Sequence, residues 1–275
     1  MIDGPLHILA CQISIPPFQT ATERDHHVRG SVDLVEKSLQ ESPADLVVLP
    51  ELSSIDYSRS AFDNLSSLAE PLDGTTCRAW QKLAARYRTT IVFGIARAAK
   101  SEFKISQVVA GPDGELIGHY DKIHLAQYGA SMEKEYFSRG DKVLTFMCKG
   151  LRIAPVICYD IRNPELNRTL VLRHGVQLIL HCGAYARDES FHTWHSFVIT
   201  RAMENQIYLL SLNRAGMNYG NSLFCPPWVD EETLPTKFPE HDEALLRLTV
   251  SPDEIVRVRE EYSFLKDRLE DYEVL

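Results

Sequence analysis

Short, near-continuous apolar runs recur along this chain and constrain its fold more than any other feature. They occupy residues 6–13 (LHILACQI), 45–49 (DLVVL), 90–96 (TIVFGIA), 153–157, 176–181 and 207–212. Runs of this length read as strands buried on both faces, as in a sheet covered by helices. Helical spacing fills the gaps between them. Residues 22–40 align Val28, Val32, Val35 and Leu39, and residues 188–205 align Phe191, Trp194, Val198 and Ala202. Thr75 or Thr76 is expected to cap a helix carrying Cys77, Trp80, Leu83, Ala84 and Tyr87. Residues 164–174 form a helix opened by Pro164 and closed by Gly175. Two further strands, 105–110 and 115–120, flank the turn Gly111-Pro112-Asp113-Gly114. Residues 143–148 are expected to pair with the strand before Cys158. Residues 245–250 and 255–258 read as late strands, and 225–242, with four prolines and no glycine, as loop. Strands alternating with helices predict one α/β domain over residues 1–275.

Composition excludes several function classes. The net charge of −9 argues against a nucleic-acid or anionic-membrane partner. No apolar run approaches membrane-spanning length. The opening residues MIDGPLHILACQI carry no basic stretch and enter a strand pattern at once, which does not resemble a signal peptide. Six scattered cysteines with no CxxC pair suit a reducing cytoplasm better than a disulfide framework or zinc knuckle.

The segment LRIAPVICYDIRNPEL carries the chemistry. Cys158 ends a buried strand, Tyr159 to Asn163 make a polar turn, and Pro164-Glu165 open a helix. A cysteine on such a turn lies near outward backbone N–H groups, which favour a thiolate and can stabilise an oxyanion. Glu51 and Lys122 also follow strands, and strand ends are where sites collect in α/β proteins. Singly, the three have ordinary readings: a core thiol, a solvated carboxylate and a surface lysine. Jointly they suit acyl transfer, with a nucleophile, a base whose pKa burial can raise, and a cation for the developing oxyanion.

Three motifs, LVVLPEL around Glu51, YDKIHL around Lys122 and VICYDIRNPEL around Cys158, resemble those of the nitrilase superfamily, the carbon–nitrogen hydrolases. The likeness covers most of the chain, including EKEYFSRGD, RAMENQIYLLSLNRAG and the closing DRLEDY. It implies a four-layer α-β-β-α sandwich and a Glu51–Lys122–Cys158 triad. It implies Glu133 as a second glutamate that holds Lys122 or substrate, with Glu135 as the competing candidate. It also implies a homodimer or larger homo-oligomer with residues 255–275 as a contacting tail, and hydrolysis through a cysteine thioester without metal or organic cofactor. Tyr159-Asp160 after the nucleophile resembles amidase members, so a small carboxamide substrate is expected. N-carbamoyl compounds, nitriles and a non-catalytic binding role are the alternatives.

Tyr57, Tyr128, Tyr159 and Tyr185 lie beside these motifs and are candidates to line a substrate pocket. Asp160 and Arg162 are expected to pair and brace the nucleophile turn. His192 and His195, with Glu189 nearby, have helical spacing for a zinc site, but no further ligand cluster supports one.

Overall fold

The computed structural model describes residues 4–270. Its strands are β1 (Leu6–Gln12), β2 (Leu46–Val48), β3 (Thr90–Ala99), β4 (Glu102–Ala110), β5 (Leu116–Asp121) and β6 (Phe146–Cys148). They continue with β7 (Leu151–Ile157), β8 (Leu178–Cys182), β9 (Tyr208–Leu212), β10 (Leu223–Cys225), β11 (Thr236–Lys237) and β12 (Ala244–Val250). Two six-stranded sheets result, ordered β12-β1-β2-β3-β4-β5 and β11-β10-β9-β8-β7-β6. In each, three central strands run parallel, and the outer strands add antiparallel.

Side-chain parity explains the layering. Leu6, Ile8 and Ala10 of one sheet share a buried cluster with Ile153, Leu178, Leu180 and Leu210 of the other. The alternate residues Leu9, Cys11, Val47 and Ile91 pack instead with Val35 and Leu39 of α1 (Ala21–Glu41) and Trp80 and Leu83 of α4 (Thr75–Tyr87). Val156 and Ile179 face Leu170 of α5 (Pro164–His174) and Val198 and Ala202 of α6 (Phe191–Asn205) in the same way. A strand that buries both faces cannot alternate polar with apolar, hence the continuous runs in the sequence. The architecture is the expected α-β-β-α sandwich. Two short helices, α2 (Arg59–Asp63) and α3 (Leu65–Leu68), follow β2.

Three local expectations are corrected. Residues 255–258 are not a strand but lie in α7 (Pro252–Glu261), followed by α8 (Phe264–Asp267). Pro252 suits a first helical turn, Asp253 and Glu254 suit its dipole, and Ile255 and Val258 bury one helical face. Neither Thr75 nor Thr76 caps α4; Gly74 is the N-cap, and the Thr76 hydroxyl is engaged by Glu70. Residues 225–242 are not wholly loop, since Thr236–Lys237 returns as β11 against β10. The tail expected to contact a second subunit extends to 271–275, which lie outside the described residues.

Candidate active site

The carboxyl ends of β2, β5 and β7 deliver Glu51, Lys122 and Cys158 to one buried cluster. Glu51 sits in a tight turn after Pro50, with Leu52 in the left-handed region at φ 47°. This turn rests on β3. The Ser53 hydroxyl donates to the Gly94 carbonyl (3.1 Å) and accepts from its N–H (3.0 Å). A Cβ at Gly94 would lie 2.4 Å from the Leu52 nitrogen, so glycine permits the approach. From β9's end, Arg214 Nη2 donates to the carbonyls of Glu51, Leu52 and Ile55 at 3.2–3.3 Å. Gly94 and Arg214 thus place the Glu51 turn, a role sequence reasoning missed.

Lys122, Glu51 and Glu133 are each 0 % exposed, so their charges must answer one another. Lys122 Nζ donates to Glu51 Oε1 (2.8 Å) and Glu133 Oε1 (2.6 Å), using two of its three N–H bonds. Glu133, in a single 3-10 turn at Glu133–Glu135, also accepts from the Tyr57 hydroxyl (2.8 Å) and the Ala126 N–H (2.8 Å). Glu135 points elsewhere and pairs with Arg59 at the surface (2.7 Å). Of the two glutamates, Glu133 is the one that contacts Lys122. Among the described residues, Glu51 Oε2 has no hydrogen-bond partner.

Burial raises the Glu51 pKa to about 7; Lys122 lowers it less than burial lifts it, and Glu133 adds to the rise. Burial disfavours the Lys122 ammonium, but the carboxylates of Glu133 and Glu51 overcome this and hold it well above the ordinary lysine range. Burial likewise pushes the Cys158 thiol far up; Lys122 opposes this, while Glu51 and Glu133 reinforce it. The expectation that the turn favours a standing thiolate is corrected: the Ala184 N–H on the sulfur lowers the pKa, but burial outweighs it. A buried thiol thus lies within electrostatic reach of two buried carboxyl groups and a buried ammonium.

Cys158 itself has φ 44°, in the left-handed region. That conformation costs on the order of 1–2 kcal/mol for a residue with a Cβ, so surrounding contacts must hold it. Its carbonyl accepts from His181 Nε2 (2.8 Å) and the Tyr185 hydroxyl (2.9 Å). The turn after it, Cys158–Arg162, is a 3-10 turn rather than a direct start of α5. Asp160 braces this turn by accepting from the Ile157 N–H (3.0 Å), the Tyr120 hydroxyl (2.7 Å) and the His124 N–H (3.0 Å). The expected pairing of Asp160 with Arg162 is not found. Arg162 instead lies over the rings of Phe197 and Tyr128, because the buried Asp160 faces β5 and its following loop.

The four candidate pocket tyrosines divide into two kinds. Tyr57 and Tyr185 are buried with their hydroxyls committed to Glu133 and to the Cys158 carbonyl. Tyr128 and Tyr159 are half-buried and pack on each other at 5.3 Å, free to present ring edges to a ligand. Of the zinc candidates, His192 is exposed and His195 is tied to the Asn221 carbonyl (2.7 Å). Among the described residues, no three His, Cys, Asp or Glu side chains form a metal-binding group. No helix among them is long and apolar enough to cross a membrane.

The sequence matches the carbon–nitrogen hydrolase family model over residues 8–241. It is 33 % identical over 192 residues to a 2-oxoglutaramate amidase of Bacillus subtilis, covering 67 % of this chain and 71 % of that one. It is 29 % identical over 226 residues to an (R)-stereoselective amidase of a Pseudomonas species, covering 82 % and 79 %. An omega-amidase of Saccharomyces cerevisiae is 29 % identical over 239 residues, covering 80 % and 82 %. Among solved structures, a carbon–nitrogen hydrolase from Helicobacter pylori superposes with a TM-score of 0.84 at 20 % identity, over 99 % of this chain and 98 % of that one. A superfamily protein of Xanthomonas campestris superposes with a TM-score of 0.82 at 23 % identity, over 97 % and 98 %.

Proposed function

We infer that this chain, which belongs to the carbon–nitrogen hydrolase family, splits a small carboxamide into its acid and ammonia through Cys158. The observation that carries this reading is the division of labour on Glu51. Oε1 is anchored by the Lys122 ammonium, while Oε2 is buried and has no hydrogen-bond partner among the described residues, and Glu51 lies close enough to Cys158 to act on its charge. A carboxylate so held, with a pKa of about 7, is matched to general-base work at neutral pH.

In the proposed sequence the Cys158 sulfur attacks the amide carbonyl carbon as its proton passes to Glu51. The C–S bond forms and the carbonyl electron pair moves onto oxygen. That oxyanion is held by the third N–H of Lys122 and the backbone N–H of Tyr159. When the pair returns, the C–N bond breaks and the Glu51 proton leaves with ammonia. Water then gives a proton to Glu51 and attacks the thioester; the C–S bond breaks and the sulfur recovers the proton from Glu51. Glu133 keeps Lys122 charged and in place throughout.

The amidase names of the sequence relatives support carboxamides over nitriles and N-carbamoyl compounds. An ammonia-release screen across small ω-amides, formamide, nitriles and N-carbamoyl compounds tests the class. Turnover of amides that vanishes in Cys158→Ala, with an acyl adduct on Cys158 by mass spectrometry, is the expected result. Wild-type ammonia release from the Cys158→Ala protein would end the assignment.

Two further proposals accompany it. A homodimer is supported by exposed Leu172 and Phe264, which border a cleft of about 910 Å³ together with Arg168 and Met203; sedimentation at micromolar concentration tests it. A cytoplasmic location is supported by six cysteines, all free.

A further inference from the structure

The carbonyl of Cys158 is the end point of a buried hydrogen-bond chain. Trp194 Nε1–H, a donor only, reaches Ser211 Oγ at 2.9 Å. At the other end the Cys158 carbonyl can only accept, so His181 donates from Nε2 and its bare Nδ1 accepts from the Ser211 hydroxyl, 2.7 Å away. The stacking of Tyr185 on the same indole, 4.6 Å between centroids at 8°, holds its hydroxyl on that carbonyl too. Trp194, Ser211, His181 and Tyr185 are all buried.

We propose that this Trp194–Ser211–His181 chain, with Tyr185, positions the oxyanion donor. The Cys158–Tyr159 peptide is planar and trans, so its carbonyl and the Tyr159 N–H point in opposite directions. Two donors on the carbonyl therefore fix the direction of the N–H. They also polarise the amide, and that strengthens its N–H as a donor. The strained φ of Cys158 gives the pair something to hold against. His181, Ser211 and Tyr185 are positioning residues here, since none needs to touch substrate. The inference rests on the reading of the Tyr159 N–H as an oxyanion donor.

The test separates oxyanion support from thiol reactivity. Alkylation of Cys158 by iodoacetamide needs the sulfur but develops no oxyanion; amide turnover needs both. His181→Phe is expected to lose about 10- to 100-fold in kcat, the scale of a misplacement of up to an ångström. Its KM and its alkylation rate are expected to stay within about threefold of wild type. His181→Gln, whose amide can donate to the same carbonyl, restores most of kcat. In the wild-type protein, nitrogen-15 spectra of labelled histidine are expected to show His181 protonated on Nε2 and bare on Nδ1. The proposal is overturned by the opposite tautomer, by an unchanged kcat in His181→Phe, or by alkylation that falls in step with kcat. A wild type that hydrolyses no amide instead sinks the amidase reading, which the Cys158→Ala comparison reports separately.

Discussion

Glu133→Gln probes the charge balance of the cluster most directly. The carboxylate accepts from three donors: Lys122 and Tyr57 on Oε1, and the Ala126 N–H on Oε2. An amide has one acceptor oxygen. If that oxygen stays on Lys122 and Tyr57, the new NH2 faces the Ala126 N–H, and two buried donors oppose each other. Leaving a buried polar group unsatisfied costs about 1–3 kcal/mol, and replacing a charged by a neutral acceptor for Lys122 costs about 1 more. The sum, roughly 2–4 kcal/mol, falls short of the 3–5 kcal/mol of an outright broken buried pair, because Lys122 keeps Glu51. At about 2 °C per kcal/mol for a chain of this size, Tm drops by roughly 4–8 °C. Kinetics carry a second, signed expectation. Glu133 raises the Glu51 pKa, so its neutralisation moves the acid limb of kcat/KM to lower pH, even as kcat itself falls. Calorimetry and pH–rate profiles from pH 5 to 9 measure both. Glu135→Gln is the control, since Glu135 pairs only at the surface, and should move neither. A Glu133→Gln protein with wild-type Tm, or an acid limb shifted upward, refutes the argument.

Three other outcomes follow from the same geometry. Glu51→Gln loses about 10²–10⁴ in kcat, and wild-type kcat/KM rises with pH through about 7 as Glu51 ionises; an acid limb near the ordinary carboxylate range would contradict this. Gly94→Ala sets a Cβ 2.4 Å from the Leu52 nitrogen and 2.5 Å from the Pro50 carbonyl. It should cost about 1–3 kcal/mol in urea unfolding and lower kcat as the Glu51 turn shifts; an undisturbed midpoint and rate would show the contact to be slack. His181 is held down to about 4 from 6.5 by burial. The unfolded chain therefore takes up a proton first as pH falls, so the stability present above 6.5 is lost on the way to 4. At about 1.36 kcal/mol per pH unit this amounts to roughly 3 kcal/mol. His181→Gln should flatten the slope of stability between those pH values, and an unaltered slope would assign the acid sensitivity to other groups.

Much of this was legible in the sequence because the signals were local. Continuous apolar runs marked the doubly covered strands, and strand ends carrying Glu51, Lys122 and Cys158 marked the cluster. Gly175 was legible as a helix end because its αL conformation (φ 67°) is one that favours glycine. Residues 255–258 misled because branched Ile255, Val256 and Val258 have strand propensity; Pro252 and the acidic pair after it were the better guide. Thr76 looked like a cap, but Glu70, six residues earlier, claimed its hydroxyl. Arg214, Gly94 and His181 were out of reach for a different reason. Each acts on the backbone of a segment distant in sequence, and nothing in the neighbouring residues announces which backbone that will be.

The cluster's charge count bears on why burial and its neighbours favour a thiol at Cys158. Two buried carboxylates face one buried ammonium, so losing the thiol proton to solvent would add a third anion to the cluster, whereas passing it to Glu51 would not. Burial opposes the thiolate most strongly, and Glu51 and Glu133 oppose it further. In the proposed mechanism ionisation is concerted with attack: the Cys158 proton passes to Glu51 as negative charge moves from sulfur to the substrate carbonyl oxygen. The same count gives Lys122 two duties that would otherwise conflict. Glu133 and Glu51 keep it charged at a depth where burial alone would strip its proton, while its remaining N–H is left for the oxyanion. Removing either carboxylate thus perturbs the base, the cation and the thiol together, and single substitutions at Glu51, Lys122 and Glu133 should not be additive.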